Sequence, residues 1–228
     1  MIEKSGREPV VTIDGPAGAG KSTVARLLAA RLGYRLLDTG GMYRAVAWSV
    51  AQAGIDADDA AAIARHLKSV TVTVDDDRFL VDGRDVTSEI RSPEIGALTS
   101  RITALAPVRE AITPLQRRLA SAGGVVLEGR DTGTVVCPDA EVKFFLDASI
   151  ETRARRRQME LAAAGRTVPL DAVRAEIMVR DAQDRTRTLA PLKKADDAIE
   201  VDTSERSTDD VVATMLEAVE RIRCCTRS

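Results

Sequence analysis

The chain has 228 residues, 44% of them apolar and 30% charged, a length and composition that suit one large soluble domain or a core with sizeable insertions. Its 33 Lys and Arg nearly balance 35 Asp and Glu, for a net charge of -2, which excludes a protein that coats nucleic acid but leaves room for local basic clusters. No apolar run reaches bilayer length, and Met1 to Pro9 is polar with no secretory apolar core, so a cytoplasmic protein is expected.

Val10-Val11-Thr12-Ile13 is a short β-branched run that reads as a buried strand, ended by Asp14 and Gly15. After a glycine-rich loop, Ser22 to Leu32 sets Val24, Leu27, Leu28 and Leu32 at helical spacing, and Gly33 supplies the stop. Tyr34 to Leu37 reads as a second strand running into Asp38-Thr39-Gly40-Gly41. A helix is expected from about Met42 to Ala53, closed by Gly54. Strand, loop, helix, strand, helix is the pattern of a parallel α/β sheet.

The middle of the chain reads differently. Asp58 to Leu67 is helical and carries the single histidine, His66, as a surface residue, so a Ser-His-Asp or His-metal mechanism has almost nothing to build on. Val70 to Val74 alternates with period two, Asp75-Asp76-Asp77 turns, and Phe79-Leu80-Val81 pairs back toward Asp82-Gly83. A small antiparallel sheet inserted in the core is therefore expected over about 65–92. Helices near 92–104 and 108–121 return the chain to the main sheet. Val125-Val126-Leu127 and Val142 to Leu146 read as core strands, Ile199-Glu200-Val201 as a weaker one, with helices near 149–164, 169–186 and 208–222. Cys137, Cys224 and Cys225 are odd in number and lack C-x-x-C spacing, and they read as thiols outside any disulfide framework.

Residues 15–22 match G-x-x-x-x-G-K-[ST]. Glycines let backbone amides turn toward phosphate oxygens, and the following helix adds its positive end. Lys21 would place a charge on the β- and γ-phosphates, and Ser22 a hydroxyl on Mg²⁺. The motif follows an apolar strand and opens an amphipathic helix, as its chemistry requires. A GTPase would need Asn-Lys-x-Asp, and the chain contains no Asn. Asp38-Thr39-Gly40-Gly41 fits D-x-x-G but lies too soon after the loop to be a switch. Mechanical ATPases are usually larger or oligomeric. A small-molecule kinase remains.

An anionic acceptor needs converging positive groups to offset repulsion and to stabilise the migrating phosphoryl group. Arg44 lies early in the second helix, Arg109 in Pro107-Val108-Arg109-Glu110, and Arg130-Asp131 follows a core strand, where α/β ligands bind. Arg44 and Arg109 taken alone read equally as solvated surface charges. Arg153, Arg155, Arg156 and Arg157 form a basic run on one helix, and Arg180, Asp184 and Arg187 share one face of the next. Two such helices joined near Gly165 would make a lid that excludes water, or a salt-bridged surface pair.

Together, Ile13 to Thr23, Leu37 to Arg44, Glu128 to Val136, Leu146 to Ser149 and Arg180 to Arg187 resemble bacterial cytidylate kinases, over about residues 9–222. The resemblance implies a P-loop NTPase three-layer α/β fold in a single kinase domain, with a five-stranded parallel core (about 9–64, 93–152 and 168–222), an antiparallel NMP-binding insertion (65–92) and a helical lid (153–167). It implies ATP-dependent phosphorylation of CMP and dCMP to CDP and dCDP with Mg²⁺, by direct in-line transfer, in pyrimidine nucleotide metabolism. The implied partners are small molecules, with no nucleic acid or membrane, and composition and charge suit a monomer. ATP is assigned to Gly15, Pro16, Ala17, Gly18, Ala19, Gly20, Lys21, Ser22 and Thr23 with Arg153 and Arg157, and Mg²⁺ to Ser22. Thr39, Arg44, Arg130, Arg180 and Arg187 are implied around the CMP phosphate, Ser100, Arg109 and Asp131 at the cytosine edge, and Asp184 at the sugar. Lys21, Arg130, Arg180 and Arg187 are the implied catalytic set. Arg155 receives no role. A kinase for UMP or shikimate, and an ATP-binding regulatory protein, are the competing readings.

Overall fold

Strands buried on both faces read as near-continuous apolar runs, and the three central strands of the main sheet are such runs. The computed structural model describes residues 7–227, with side chains through Cys224, so most of the polar opening segment and the Cys225 thiol lie outside the described residues. β1 (Val10–Asp14) is buried throughout and passes through the phosphate loop into α1 (Lys21–Leu32). β2 (Arg35–Asp38) follows, then α2 (Thr39–Gln52) and α3 (Ala60–Leu67). The short strands β3 (Val72–Asp75), β4 (Arg78–Val81) and β5 (Arg84–Asp85) come next, with α4 (Pro93–Ile102) and α5 (Ala106–Ala120) behind them. β6 (Val125–Gly129) ends in a π turn over Thr132–Val136. β7 (Val142–Asp147), α6 (Ile150–Ala163), α7 (Leu170–Thr186), β8 (Ile199–Asp202) and α8 (Thr208–Arg227) complete the chain.

The main sheet has five strands in the order β2-β6-β1-β7-β8, and β1 pairs in parallel with both β6 and β7. The expected five-stranded core is thus present. The chain divides into two compact units, one holding residues up to Leu37 together with those from Ala122 onward, the other Asp38–Ser121. The first unit's core stacks Val11, Ile13, Leu28, Phe144 and Leu146 with Val212, Met215 and Val219 of α8. A smaller cluster, Ala154, Leu161, Val173 and Ile177, joins α6 to α7. In the second unit the antiparallel sheet β3-β4-β5 lies on α2, which also packs on α4, while α3 packs on α5. That sheet falls within 65–92, but the compact unit around it is wider because four helices share its core.

Two local departures have clear causes. α2 begins at Thr39, ahead of the expected Met42, because the Asp38 carboxylate caps it by accepting from the Gly41 amide at 2.8 Å. His66 is half-buried, its Nε2 3.3 Å from Ser49 Oγ, so the expected surface histidine instead packs between α3 and α2. Among the described residues no helix is long and apolar enough to cross a membrane.

Candidate active site

The first turn of the phosphate loop runs against the backbone of β7. A Cβ on Gly15 would lie 1.9 Å from the Leu146 carbonyl oxygen, so only glycine fits. Beyond it the loop carbonyls are tied down. Lys21 Nζ donates to Pro16 O at 2.7 Å, Arg153 donates to Ala17 O at 3.2 Å, and Thr203 Oγ1 donates to Ala19 O at 3.1 Å. α1 starts at Lys21 behind Gly20 in the left-handed conformation (φ 87°), so its free N-terminal amides open at the loop.

Lys21 is buried, and its ammonium is held well below the usual lysine range. Burial is the main cause. Arg130 and Arg180 push in the same direction, while Glu128 and Asp14 oppose. A buried lysine with two half-buried arginines in electrostatic reach, beside free helix amides, suits an anion such as a polyphosphate. The linkage has a sign: a bound anion favours the charged amine and raises its pKa. ATP binding is therefore expected to take up protons at pH values above the free-protein pKa of Lys21, and affinity to fall as pH rises through it. Calorimetric titration in buffers of different ionisation enthalpy measures this uptake, and it should vanish in Lys21→Met.

Ser22 Oγ donates to Glu128 Oε2 at 2.7 Å. A hydroxyl and a carboxylate are hard oxygen donors. Among the described residues no group of three or more His, Cys, Asp or Glu could hold a metal. The pair fits an ion that keeps most of its shell as water and phosphate oxygens, which is the habit of Mg²⁺.

At the end of β6 four side chains interlock. Arg130 Nε donates to Asp184 Oδ2 at 2.9 Å, and Arg187 lies 3.4 Å from Asp131 and 3.8 Å from Asp184. Asp131 and Asp184 are buried. Their carboxylates offset part of the charge of Arg130 and Arg187, which can then be held together before any ligand arrives. Arg187 reaches this group by a different route from the shared helix face expected of it. α7 ends at Thr186, and Arg187 is its extended cap (φ -59°, ψ 139°), donating from Nε to Ala190 O. The structure thus brings together Lys21, Ser22, Arg130, Asp131, Arg180, Asp184 and Arg187 within one unit.

Thr39, Arg44, Ser100 and Arg109 belong to the other unit. Thr39 is buried at the start of α2. Arg44 donates to Ile90 O at 3.4 Å, and Ser100 Oγ to Gly96 O at 3.3 Å. Arg109 is buried, 5.6 Å above the Tyr43 ring, and donates to Thr103 O at 3.4 Å, so it is not a solvated surface charge.

The basic run on α6 divides by position. Arg153 is buried, with its fork spent on Asp181, Ala17 O and Ala148 O. Arg156 donates to Thr203, and the more exposed Arg157 pairs with Glu160 at 3.0 Å. Cys137 is half-buried and Cys224 exposed. Glu128, Asp14 and Asp181 were given no role from the sequence. The available signal for the first two was a carboxylate at the end of an otherwise apolar buried run, which demands a partner.

Known proteins resemble the chain along most of its length. A family model described as cytidylate kinase matches residues 11–221. A cytidylate kinase of Geobacter sp. (strain M21) is 50% identical over 214 residues, spanning 92% of each chain. That of Mycobacterium leprae (strain Br4923) is 49% identical, over 93% of this chain and 96% of its own. In fold alone, an uncharacterized protein from Eubacterium ventriosum aligns with a TM-score of 0.53 at 13% identity, over 93% of this chain and 99% of its own. With the phosphate loop, the arginine–aspartate network and half-identical relatives matched nearly end to end, the chain belongs to the cytidylate kinase family.

Proposed function

We propose that this chain moves the γ-phosphoryl group of ATP onto the 5′-phosphate of CMP, and of dCMP, in the cytoplasm and as a monomer. The observation that carries the reading is the buried Lys21 ammonium with Arg130 and Arg180 in electrostatic reach. Three cations beside a phosphate loop exceed what one triphosphate tail needs, and they suit two phosphate groups meeting in line. An oxygen of the CMP phosphate attacks the γ-phosphorus. The bond to the β,γ-bridging oxygen breaks, and its electrons leave on ADP. The attacking phosphate is already anionic at neutral pH, so no general base is needed. The work is alignment and charge neutralisation.

In this reading the loop from Gly15 to Thr23 holds the ATP phosphates, Arg157 lies toward ATP, and Arg153 acts on ATP by shaping the loop. Ser22, with Glu128 beside it, would hold Mg²⁺, which when bound neutralises β- and γ-phosphate charge. Thr39, Arg44, Arg130, Arg180 and Arg187 take the CMP phosphate and its surroundings, Asp184 the sugar, and Ser100, Arg109 and Asp131 the cytosine edge. Residues 153–167 form the lid, and 65–92 the acceptor-binding insertion. A coupled ADP-release assay across CMP, dCMP, UMP and AMP tests this. The expected order is CMP and dCMP well above UMP and AMP, and absence of turnover with CMP would sink the reading.

A further inference from the structure

Asp14 is assigned no contact with either nucleotide in the transfer just described, yet its carboxylate accepts three hydrogen bonds. It is the last residue of β1, directly before the phosphate loop, and it is buried. Its Oδ1 accepts from the Thr132 amide at 2.8 Å and from Thr132 Oγ1 at 2.8 Å, and its Oδ2 accepts from the Gly133 amide at 2.7 Å. Burial raises its pKa, and the nearby charge of Asp131 adds to that against the pull of the three hydrogen bonds. A carboxylate in such a place costs stability that an apolar residue would not, so what it holds is informative.

It holds the turn that carries Arg130 and Asp131. In the sheet register Asp14 stands opposite Gly129, so the chain leaves β6 right beside it. Asp131 has neither strand nor helix geometry (φ -143°, ψ 23°). The two amides that follow it are the ones bound to Asp14, and its own carbonyl accepts from the Val135 and Val136 amides at 2.9 and 3.2 Å, opening the π turn. Such turns are rare and concentrate at functional positions. Gly133 is a second, independent observation. A Cβ there would lie 2.8 Å from Thr12 Oγ1 and 3.4 Å from Asp14 Oδ2, so the turn can approach β1 only because residue 133 has no side chain.

We propose that Asp14 is a positioning residue for the acceptor, clamping the Thr132–Gly133 amides so that Arg130 and Asp131 are presented in one fixed orientation. It also joins that turn to the residue that starts the phosphate loop. This rests on the reading of Asp131 as the group that recognises the base. Asp14→Asn keeps the volume but sets an NH₂ against one of the two amides. KM for CMP should rise about tenfold or more, the range expected when a charge-assisted hydrogen bond is lost, while KM for ATP stays within about threefold, since Asp14 is the smallest of the influences on the Lys21 charge. The preference for CMP over UMP should shrink. Gly133→Ala displaces the same turn from its other side with the carboxylate intact, and it should give the same split. The measurement uses whichever monophosphate the unsubstituted protein phosphorylates, so failure of the CMP reading appears in the unsubstituted protein and leaves the split readable. An acceptor KM within about twofold of the unsubstituted value in both variants, too small for any lost contact, would overturn the proposal. So would donor and acceptor KM rising together, or a lowered melting temperature without the split.

Discussion

Lys21→Met is expected to lower kcat by roughly 10²–10³-fold, the range for removing one preorganised charge contact to a transition state, while the protein stays folded. Single-turnover formation of CDP from ATP measures the loss, and a kcat within about threefold of the unsubstituted value would contradict the phosphate assignment. Lys21 is the one side chain that belongs to the loop, is buried, and lies in the electrostatic field of Arg130 and Arg180. In the resting protein that position is unfavourable for its charge, which is why the amine is held below its usual range. The stability consequence follows with a definite sign. A lysine whose folded pKa is depressed binds fewer protons folded than unfolded, so it makes stability rise with pH between the two pKa values. Lys21→Met removes that slope, and its melting temperature near neutral pH should be no lower than that of the unsubstituted chain. Loss of rate without loss of stability separates a transition-state contact from a packing role.

Asp131→Ala is expected to cut kcat/KM for CMP by about a hundredfold or more and to bring CMP and UMP close to parity, with KM for ATP little changed. The reasoning is chemical. Cytosine offers an exocyclic amine where uracil offers a carbonyl, and a buried carboxylate accepts from the first and repels the second. Asp131 is buried and stands 3.4 Å from Arg187, which retains its contacts to Ala190 O and Asp184 when Asp131 is removed. The arginine is therefore not stranded, and the loss is expected in recognition rather than folding. A steady-state comparison of CMP and UMP for both proteins decides the matter. An unchanged ratio would remove Asp131 from base recognition.

Much of the first unit was legible because its signals are local and redundant. Val10–Asp14, the loop and α1 are announced by an apolar run, a glycine pattern and helical spacing in succession, and each restricts the next. The antiparallel hairpin showed through period two and a run of aspartates. The π turn over Thr132–Val136 was invisible, because Thr-Gly-Thr-Val-Val has no periodicity of its own and owes its shape to a carboxylate 118 residues away. Arg187 was placed in the right company by the wrong argument, since helical spacing was extended one residue past the true end of α7. Arg153 shows the opposite limit. Within a run of four charged neighbours, nothing in the sequence says which one turns inward to Asp181 and the loop.

That inward turn bears on what nucleotide binding costs. Loops that wrap a ligand usually surrender their freedom at the moment of binding, and the lost entropy is subtracted from affinity. Here the carbonyls of Pro16, Ala17 and Ala19 are engaged by Lys21, Arg153 and Thr203, through bonds made within the protein itself. Bonds of the fold hold the cradle in shape, so ordering it is a cost of folding, met once, and the phosphates meet amides that need not be gathered. Such preorganisation leaves more of the binding energy of the nucleotide available for the transition state than for assembling the place where it sits.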